Sequence, residues 1–261
     1  MLRVYGVPTA LSIALGLASL AIVASPIPMA ASRDLIDLFL EERFRRSLVL
    51  SLGSSTISSV LAVTLATAPA YAMARQEGRL TRLISQLHLL LLSIPPVGLG
   101  TAALILFTRY PPLNSISETL GLFFSPKAVI LAQLLVTTPI AVSMLTGVFS
   151  MVPRELEEAA EAYGAGRLQI LIRIVLPLSL PGILSALAVT FFRALGEFGA
   201  TLVLAGNIPG RTETLPLALY NAISLADVET ASAIYTLVLA VGLVTLGVHT
   251  LLYTRLVKRT G

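Results

Sequence analysis

Read as a hydropathy pattern, the chain alternates six long apolar segments with short polar connections. The segments run at about 8–31, 47–74, 83–108, 127–151, 179–205 and 231–256, each near the ~20 residues that carry a helix across a ~30 Å hydrocarbon core. This pattern predicts an all-α integral membrane protein with about six transmembrane helices, in one domain covering residues 1–261.

The connections and interruptions carry the detail. The first segment follows a lone Arg3 and is longer than the apolar core of a secretory signal. Ser25-Pro26-Ile27-Pro28 is also a poor cleavage context, so a retained signal-anchor helix is expected. Residues 32–46 mix Arg33, Asp34, Asp37, Glu41, Glu42, Arg43, Arg45 and Arg46 with Leu35, Leu38 and Phe39, the pattern of an interfacial helix. Ser51, Ser55, Ser58 and Ser59 recur at helical spacing in the second segment, which suits either close helix packing or a polar pathway. The third segment contains Ser93-Ile94-Pro95-Pro96, then Gly98 and Gly100. Adjacent prolines free backbone carbonyls and force a kink. Ser93, Pro95 and Pro96 are therefore candidate pore or gate positions, although a kink required only by packing would read the same way. The fourth segment carries Gln133, Thr137, Thr138 and Pro139.

Composition agrees with the pattern. The chain is 56% hydrophobic and 12% charged, with a mean hydropathy of +0.88, where a soluble domain would carry about a quarter charged residues. The net charge of +4 comes from scattered arginines, not from a dense basic patch interleaved with aromatics, so nucleic acid is not an expected partner. Membrane lipid is. The absence of cysteine excludes disulfides and thiolate metal sites. With both termini inside, ten Lys/Arg fall on the cytoplasmic side and seven outside, a weak positive-inside bias opposed by Arg43, Arg45 and Arg46.

One polar interruption organises the rest. Residues 151–181 read MVPRELEEAAEAYGAGRLQILIRIVLPLSLP and hold Glu155, Glu157, Glu158 and Glu161. Pro153 suits the first position of a helix, and the carboxylates behind it complement the positive end of that helix's dipole. Leu156, Ala159, Ala160 and Tyr163 form one apolar stripe. Gly164 and Gly166 break the helix, and a second amphipathic run with Leu168, Leu171, Ile172 and Val175 ends at Pro177. The pattern is helix, glycine turn, helix, on a loop of about 152–178 that protrudes between spans.

Glu158-Ala159-Ala160, three residues, Gly164, nine residues, then Ile174-Val175-Leu176-Pro177 resembles the EAA loop of ABC importer permeases at every fixed position. The resemblance implies a type I importer permease fold with a cytoplasmic coupling helix, a homodimer around a central pore, two ABC ATPase subunits, and an extracytoplasmic substrate-binding protein. ATP and Mg would be bound by the partner ATPase. The ATPase-docking set would be Leu156, Glu158, Ala159, Ala160, Gly164, Arg167, Leu176 and Pro177, and this placement would put the loop and both termini on the cytoplasmic side of the cell membrane.

A second stretch places charge inside the membrane. Arg193 falls near the middle of the fifth segment, where an isolated arginine costs at least ~3 kcal/mol on insertion scales. Glu197 is four residues on and on the same helical face. Gly196 and Ala200 form a small-xxx-small pair that admits another helix. Arg193, Gly196, Glu197 and Gly199 thus join the pore or gate candidates, with a structural ion pair as the alternative reading. Arg193-Ala194-Leu195-Gly196-Glu197-Phe198-Gly199-Ala200, with Asn207-Ile208-Pro209-Gly210-Arg211-Thr212 and Thr214-Leu215-Pro216, resembles the molybdate and sulfate permease subfamily, its molybdate/tungstate members most closely. The resemblance implies a tetrahedral oxyanion as substrate, and makes Asn207, Gly210 and Arg211 candidate contacts for the binding protein.

No G-x-x-x-x-G-K-[ST] loop and no G-x-S-x-G elbow occurs, so neither a nucleotide site nor a serine nucleophile is expected in this chain. His88 and His249 each stand alone on an apolar segment, without the partners a metal or catalytic site requires. A sulfate/thiosulfate permease, and a self-contained intramembrane channel or enzyme, are the alternatives the residues leave open. The latter would need polar groups converging inside the spans.

Overall fold

A computed structural model describes residues 6–30, 35–76 and 78–260, with side chains described for 11–30, 37–76 and 78–255. The charges of Arg3, Arg33, Asp34, Glu77, Lys258 and Arg259 lie outside the described residues or side chains. The described residues form helices and connecting turns, with no strand among them.

In chain order the helices are α1 (Gly6–Ala24), α2 (Ile27–Ala30), α3 (Leu35–Leu40), α4 (Glu42–Arg75), α5 (Arg79–Ser93), α6 (Pro96–Arg109), α7 (Leu113–Thr119) and α8 (Pro126–Ser150). Then come α9 (Arg154–Ala162), α10 (Arg167–Ile170), a π-helical turn (Leu171–Val175), α11 (Leu176–Leu178), α12 (Leu180–Leu195), α13 (Gly199–Ala205), α14 (Leu215–Ser224) and α15 (Val228–Thr260). Four spans are long and apolar without a sharp bend: 11–30, which carries a turn at 25–26, 42–75, 126–150 and 228–255. Two more segments are apolar enough to span but are broken, α5–α6 by 111° and α10–α11 to α12 by 77°.

The bundle is built on α4 and α8. Midway along α4 Ser58 meets Gln133 of α8, and near its C-terminal end Tyr71 meets Phe149. Both residue numbers rise together, so the two helices run parallel. Between lipid-exposed helices no hydrophobic driving force operates, and close approach depends on small side chains. The buried face of α4 supplies them: Ser47, Ser51, Ser55, Ser58, Ser59, Ala62, Ala66, Ala70 and Ala74. Opposite lie Ala128, Ala132, Ala141 and Leu145 of α8. The serine stripe is thus a packing face within one chain. Several of its hydroxyls bond carbonyls of their own helix, such as Ser47 to Arg43 and Ser59 to Thr56.

α4 starts five residues earlier than the apolar run. The charged stretch 42–46, expected in an interfacial connection, forms its first turns, with Glu42 and Arg46 paired across one turn at 2.5 Å. α15 packs on α12, α14 and α2, and α1 lies outside it, tied by the Tyr235 hydroxyl to the Val23 carbonyl at 3.1 Å; both expose most of their described apolar side chains. Apolar clusters occupy the two ends: Phe149, Leu145, Val152, Ile170 and Val175 at the end holding α9, and Val129, Ala132, Ala200 and Leu204 at the other.

Candidate functional site

The loop after α8 is held by local chemistry first. α9 carries Glu155 and Glu157 in its first turn, where the helix dipole favours anions. It ends in a Schellman motif: the Ala165 N–H donates to the Ala160 carbonyl at 3.0 Å and the Gly164 N–H to the Glu161 carbonyl at 2.8 Å. The closing residue is Gly164 at φ +85°, a left-handed conformation that glycine adopts without cost. Gln169 then accepts from the Gly166 N–H at 3.2 Å, starting α10. Pro177 does not end this second run; it sits inside α11, and the chain turns by 77° only at Ser179.

The two helices differ in what they expose. Ile170 and Val175 are buried against the bundle, while Leu156, Tyr163, Leu168 and Ile172 stand in solvent, Tyr163 at 94% exposure. Glu158, Ala159, Gly164, Arg167 and Pro177 are also exposed, and Ala160 and Leu176 half-buried. The apolar stripe expected on α9 therefore projects outward over much of its length. The one buried residue of α9 is Glu157. Its carboxylate accepts from the Tyr71 hydroxyl at 2.7 Å and from Arg75 Nε at 2.7 Å, and pairs with Arg75 Nη2. Arg75 also donates to the Val152 carbonyl at 3.1 Å. In sequence Glu157 is one of four carboxylates in this loop, and nothing local sets it apart from Glu155, Glu158 and Glu161.

The second candidate site is a pair of helix breaks. The fifth apolar segment, expected as one span over 179–205, stops at Leu195 and restarts at Gly199. Glu197 is the reason the break is tolerated. Its Oε1 accepts the Ala200 N–H at 2.8 Å, replacing an acceptor that an unbroken helix would have provided, and its Oε2 pairs with Arg193 Nη1 at 2.7 Å. The Ala194 carbonyl, at the break, accepts the Glu197 N–H at 3.0 Å and the side-chain amide of Gln133 at 3.1 Å. Gln133 is 1% exposed, accepts from Ser58 at 2.9 Å and donates to Ser55 at 3.3 Å. An amide of α8 among the spans thus has its partners in two other helices, α4 and α12.

The third segment breaks in the same region. A Cβ on Gly199 would lie 2.7 Å from Val97 Cγ2 and 3.5 Å from Pro96 Cβ, and one on Gly100 would lie 2.9 Å from Ala200 Cα. The fold therefore brings Pro96 to Gly199, two candidates about a hundred residues apart. Pro95 and Ser93 are exposed, and the Ser93 hydroxyl bonds its own helix at the Leu90 carbonyl. Arg193 keeps a third of its side chain accessible, while Glu197 keeps almost none.

Comparison with known proteins places this architecture. Residues 59–260 match the family described as binding-protein-dependent transport system inner membrane component. The chain belongs to this family. It is 40% identical over 205 residues, 77% of each chain, to the molybdenum transport system permease protein ModB of Mycobacterium tuberculosis. It is 35% identical over 187 residues to the protein of that name from Haemophilus influenzae, covering 70% of this chain and 82% of the other. A bacterial ABC transporter involved in the import of the acidic polysaccharide alginate superposes with a TM-score of 0.73 at 17% identity, covering 97% of this chain and 99% of that one. Inward-facing MetNI, a methionine ABC transporter, gives 0.65 at 18% identity, covering 81% and 94%. The fold is that of the type I ABC importer permeases, and the chain is a multi-pass inner membrane component.

At the end of the permease opposite α9, the turn 206–214 holds a third buried carboxylate, after Glu157 and Glu197. Glu213 receives Arg43 Nε at 2.8 Å and Arg43 Nη2 at 2.6 Å, Asn221 Nδ2 at 2.6 Å and the Ser47 hydroxyl at 3.3 Å. Burial pushes its carboxyl up, but the hydrogen bonds from Arg43 and Asn221 and the charge of Arg43 outweigh that and hold it below the usual carboxylate range. Asn207 is part of the same network: it donates to Asn221 at 2.6 Å and accepts from it at 3.2 Å. Of the three candidate contacts in this turn, Arg211 is exposed, Gly210 is half-buried at φ +72°, and Asn207 faces inward to Asn221. His249 bonds Ser185 at 3.2 Å and His88 the Ile84 carbonyl at 2.8 Å, which accounts for both histidines as interhelical and intrahelical ties.

Proposed function

We propose that this permease is the membrane-spanning subunit of an ATP-driven importer for a tetrahedral oxyanion, molybdate or tungstate first and sulfate second. The observation that carries the reading is the 158–177 loop, which exposes an apolar and acidic helix closed by a left-handed Gly164. Relatives 35–40% identical are named molybdenum permeases, which supports the choice of substrate.

In this reading Leu156, Glu158, Ala159, Ala160, Gly164, Arg167, Leu176 and Pro177 form the coupling unit that seats in a cleft of a cytoplasmic ATPase. Two permeases pair around a pore and two ATPases, holding ATP and Mg, close beneath them. That closure draws the two coupling units together and opens the pore outward. Both termini are then cytoplasmic, and the end bearing Arg43, Glu213 and Arg211 faces the binding protein, whose contacts include Gly210, Arg211 and the Asn207 turn. Ser93, Pro95, Pro96, Arg193, Gly196, Glu197 and Gly199 form the gate region, where two broken helices meet. An oxyanion passing there meets one guanidinium whose charge Glu197 already offsets. That suits conduction, because a site that holds an anion too tightly does not release it.

The test is ATP hydrolysis by the complete complex in liposomes, with binding protein loaded with molybdate, tungstate or sulfate. Stimulation by molybdate or tungstate and not by sulfate is expected. Equal stimulation by sulfate would remove the substrate assignment and keep the importer. An assembled complex that hydrolyses no ATP would remove both.

A further inference from the structure

We infer that Glu157 is a positioning residue for coupling: its clamp on Arg75 and Tyr71 transmits movement of α9 directly to α4. The inference rests on the proposal that α9 docks on an ATPase, and adds the path by which force leaves that helix.

α9 is short and amphipathic, and most of it is exposed. Its covalent link to α8 runs through Met151, Val152 and Pro153, a turn that by itself would let α9 swing. The side chain that closes this swing is Glu157, one of the two buried carboxylates outside the spans among the described residues. Its two partners sit one turn apart on α4: Tyr71 donates to Oε2 and Arg75 Nε to Oε1, both at 2.7 Å. The Arg75 and Glu157 side chains are 13% and 10% exposed, so the pair is shielded from the solvent screening that makes surface ion pairs weak.

Arg75 does more than pair with Glu157. Through its bond to the Val152 carbonyl it also fastens the end of α8, and its guanidinium lies 5.8 Å from the Tyr71 ring centre. Tyr71 in turn packs edge-on against Phe149 of α8, with centroids 6.3 Å apart. The last turns of α4 and α8 and the first turns of α9 therefore form one cross-braced unit. α4 and α8 are the two parallel helices on which the bundle is built. A displacement of α9 then turns them together, instead of being absorbed by the 151–153 turn.

The test uses the complete complex in liposomes, with uptake and ATP hydrolysis measured on the same vesicles. Glu157→Gln keeps an acceptor for the Tyr71 hydroxyl and removes the charge that holds Arg75. ATPase copurification and basal hydrolysis should be retained, while substrate moved per ATP falls about tenfold, within the usual span of coupling free energies. Exchanging the charges, Glu157→Arg with Arg75→Glu, should recover most of that loss. A purely structural role would lower the yield of complex and leave the uptake-to-hydrolysis ratio unchanged, which overturns the inference.

A second measurement is independent of variant activity. The chain has no cysteine, so spin labels at Gln76→Cys and Glu155→Cys report the spacing of α4 and α9 cleanly. That spacing should stay constant when ATP is added to the otherwise unaltered complex, and broaden with Glu157→Gln. A spacing that already changes with ATP in the unaltered complex overturns the clamp while the ATPase remains bound. Failure of the ATPase to copurify with the unaltered chain would overturn the docking proposal, and the clamp with it.

Discussion

Gln133 of α8 donates its side-chain amide to the carbonyl oxygen of Ala194, the residue where α12 begins to break, at 3.1 Å. The bond connects a buried amide to a backbone oxygen at the break, which the Glu197 N–H also reaches. The Ala194 carbonyl keeps the Glu197 N–H at 3.0 Å, but Gln133→Leu removes the amide's bond to it together with those to Ser58 and Ser55 in a dry site, at a cost of about 1–3 kcal/mol. Thermal unfolding of the purified permease in detergent measures it. A variant as stable as the parent would show that Gln133 is not a tie across the break.

Gly164 should be sensitive to any side chain and Gly166 insensitive to a small one. No atom lies within 4 Å of a Cβ built at either position, so space is not the difference. Gly164 sits at φ +85° and Gly166 at φ −76°, and the left-handed conformation costs an ordinary residue about 1–2 kcal/mol. Gly164→Val should reduce uptake with the amount of permease in the membrane unchanged, while Gly166→Ala transports normally. Equal behaviour of the two in an uptake assay would argue against a conformational role for Gly164.

Gly100 and Gly199 should fail for the opposite reason, because neither is at a positive φ. Each stands where two half-helices touch, and a Cβ on Gly100 would meet the Ala200 backbone, which cannot rotate away. Gly100→Ala should force α6 and α13 apart at about 1–3 kcal/mol. Gly53, which faces open space in α4, is the control: its alanine variant should be neutral or stabilised by about 0.5–1 kcal/mol. Melting temperatures of the two variants decide the matter, and similar values would refute the tight contact.

Acid should loosen the end of the permease that carries Glu213. Its carboxyl is held below the ordinary range in the folded chain, where an unfolded glutamate titrates near ~4.3. The stabilisation is therefore complete above the unfolded value and is lost as pH falls through the lower, folded one. Melting temperature should drop across that acidic window, and Glu213→Gln should be less stable at neutral pH with a flatter profile below it. A Glu213→Gln profile parallel to the parent's would sink the assignment.

Legibility varied with the distance over which each feature is encoded. The α9 helix, its glycine break and the amphipathic run behind it are written within some twenty residues, and helix start and stop signals act over a turn or two. The same holds for Pro95 and Pro96, which could only interrupt a helix. The Arg193–Glu197 pair was readable because a charged residue in a span needs a partner within reach. Its second role was not, since nothing local announces that Glu197 also caps α13 at Ala200. Asn207 is in sequence only a candidate contact for the binding protein, and its pairing with Asn221 depends on how α14 folds back on that turn.

What the sequence determined by itself is the membrane class, the six apolar segments and the exposed loop between the fourth and fifth, because hydropathy, proline and glycine act on the chain locally. The tertiary structure alone decided that α4 and α8 run parallel on a stripe of serine and alanine. It also brought Pro96 to Gly199, and matched Glu157 to Arg75 and Glu213 to Arg43 out of several nearby acids and bases. Those pairs lie far apart in the chain. In an all-apolar surrounding the small-residue faces that fit each other select the partners, and fit is a property of two surfaces at once, which a pattern read along one strand of sequence does not contain.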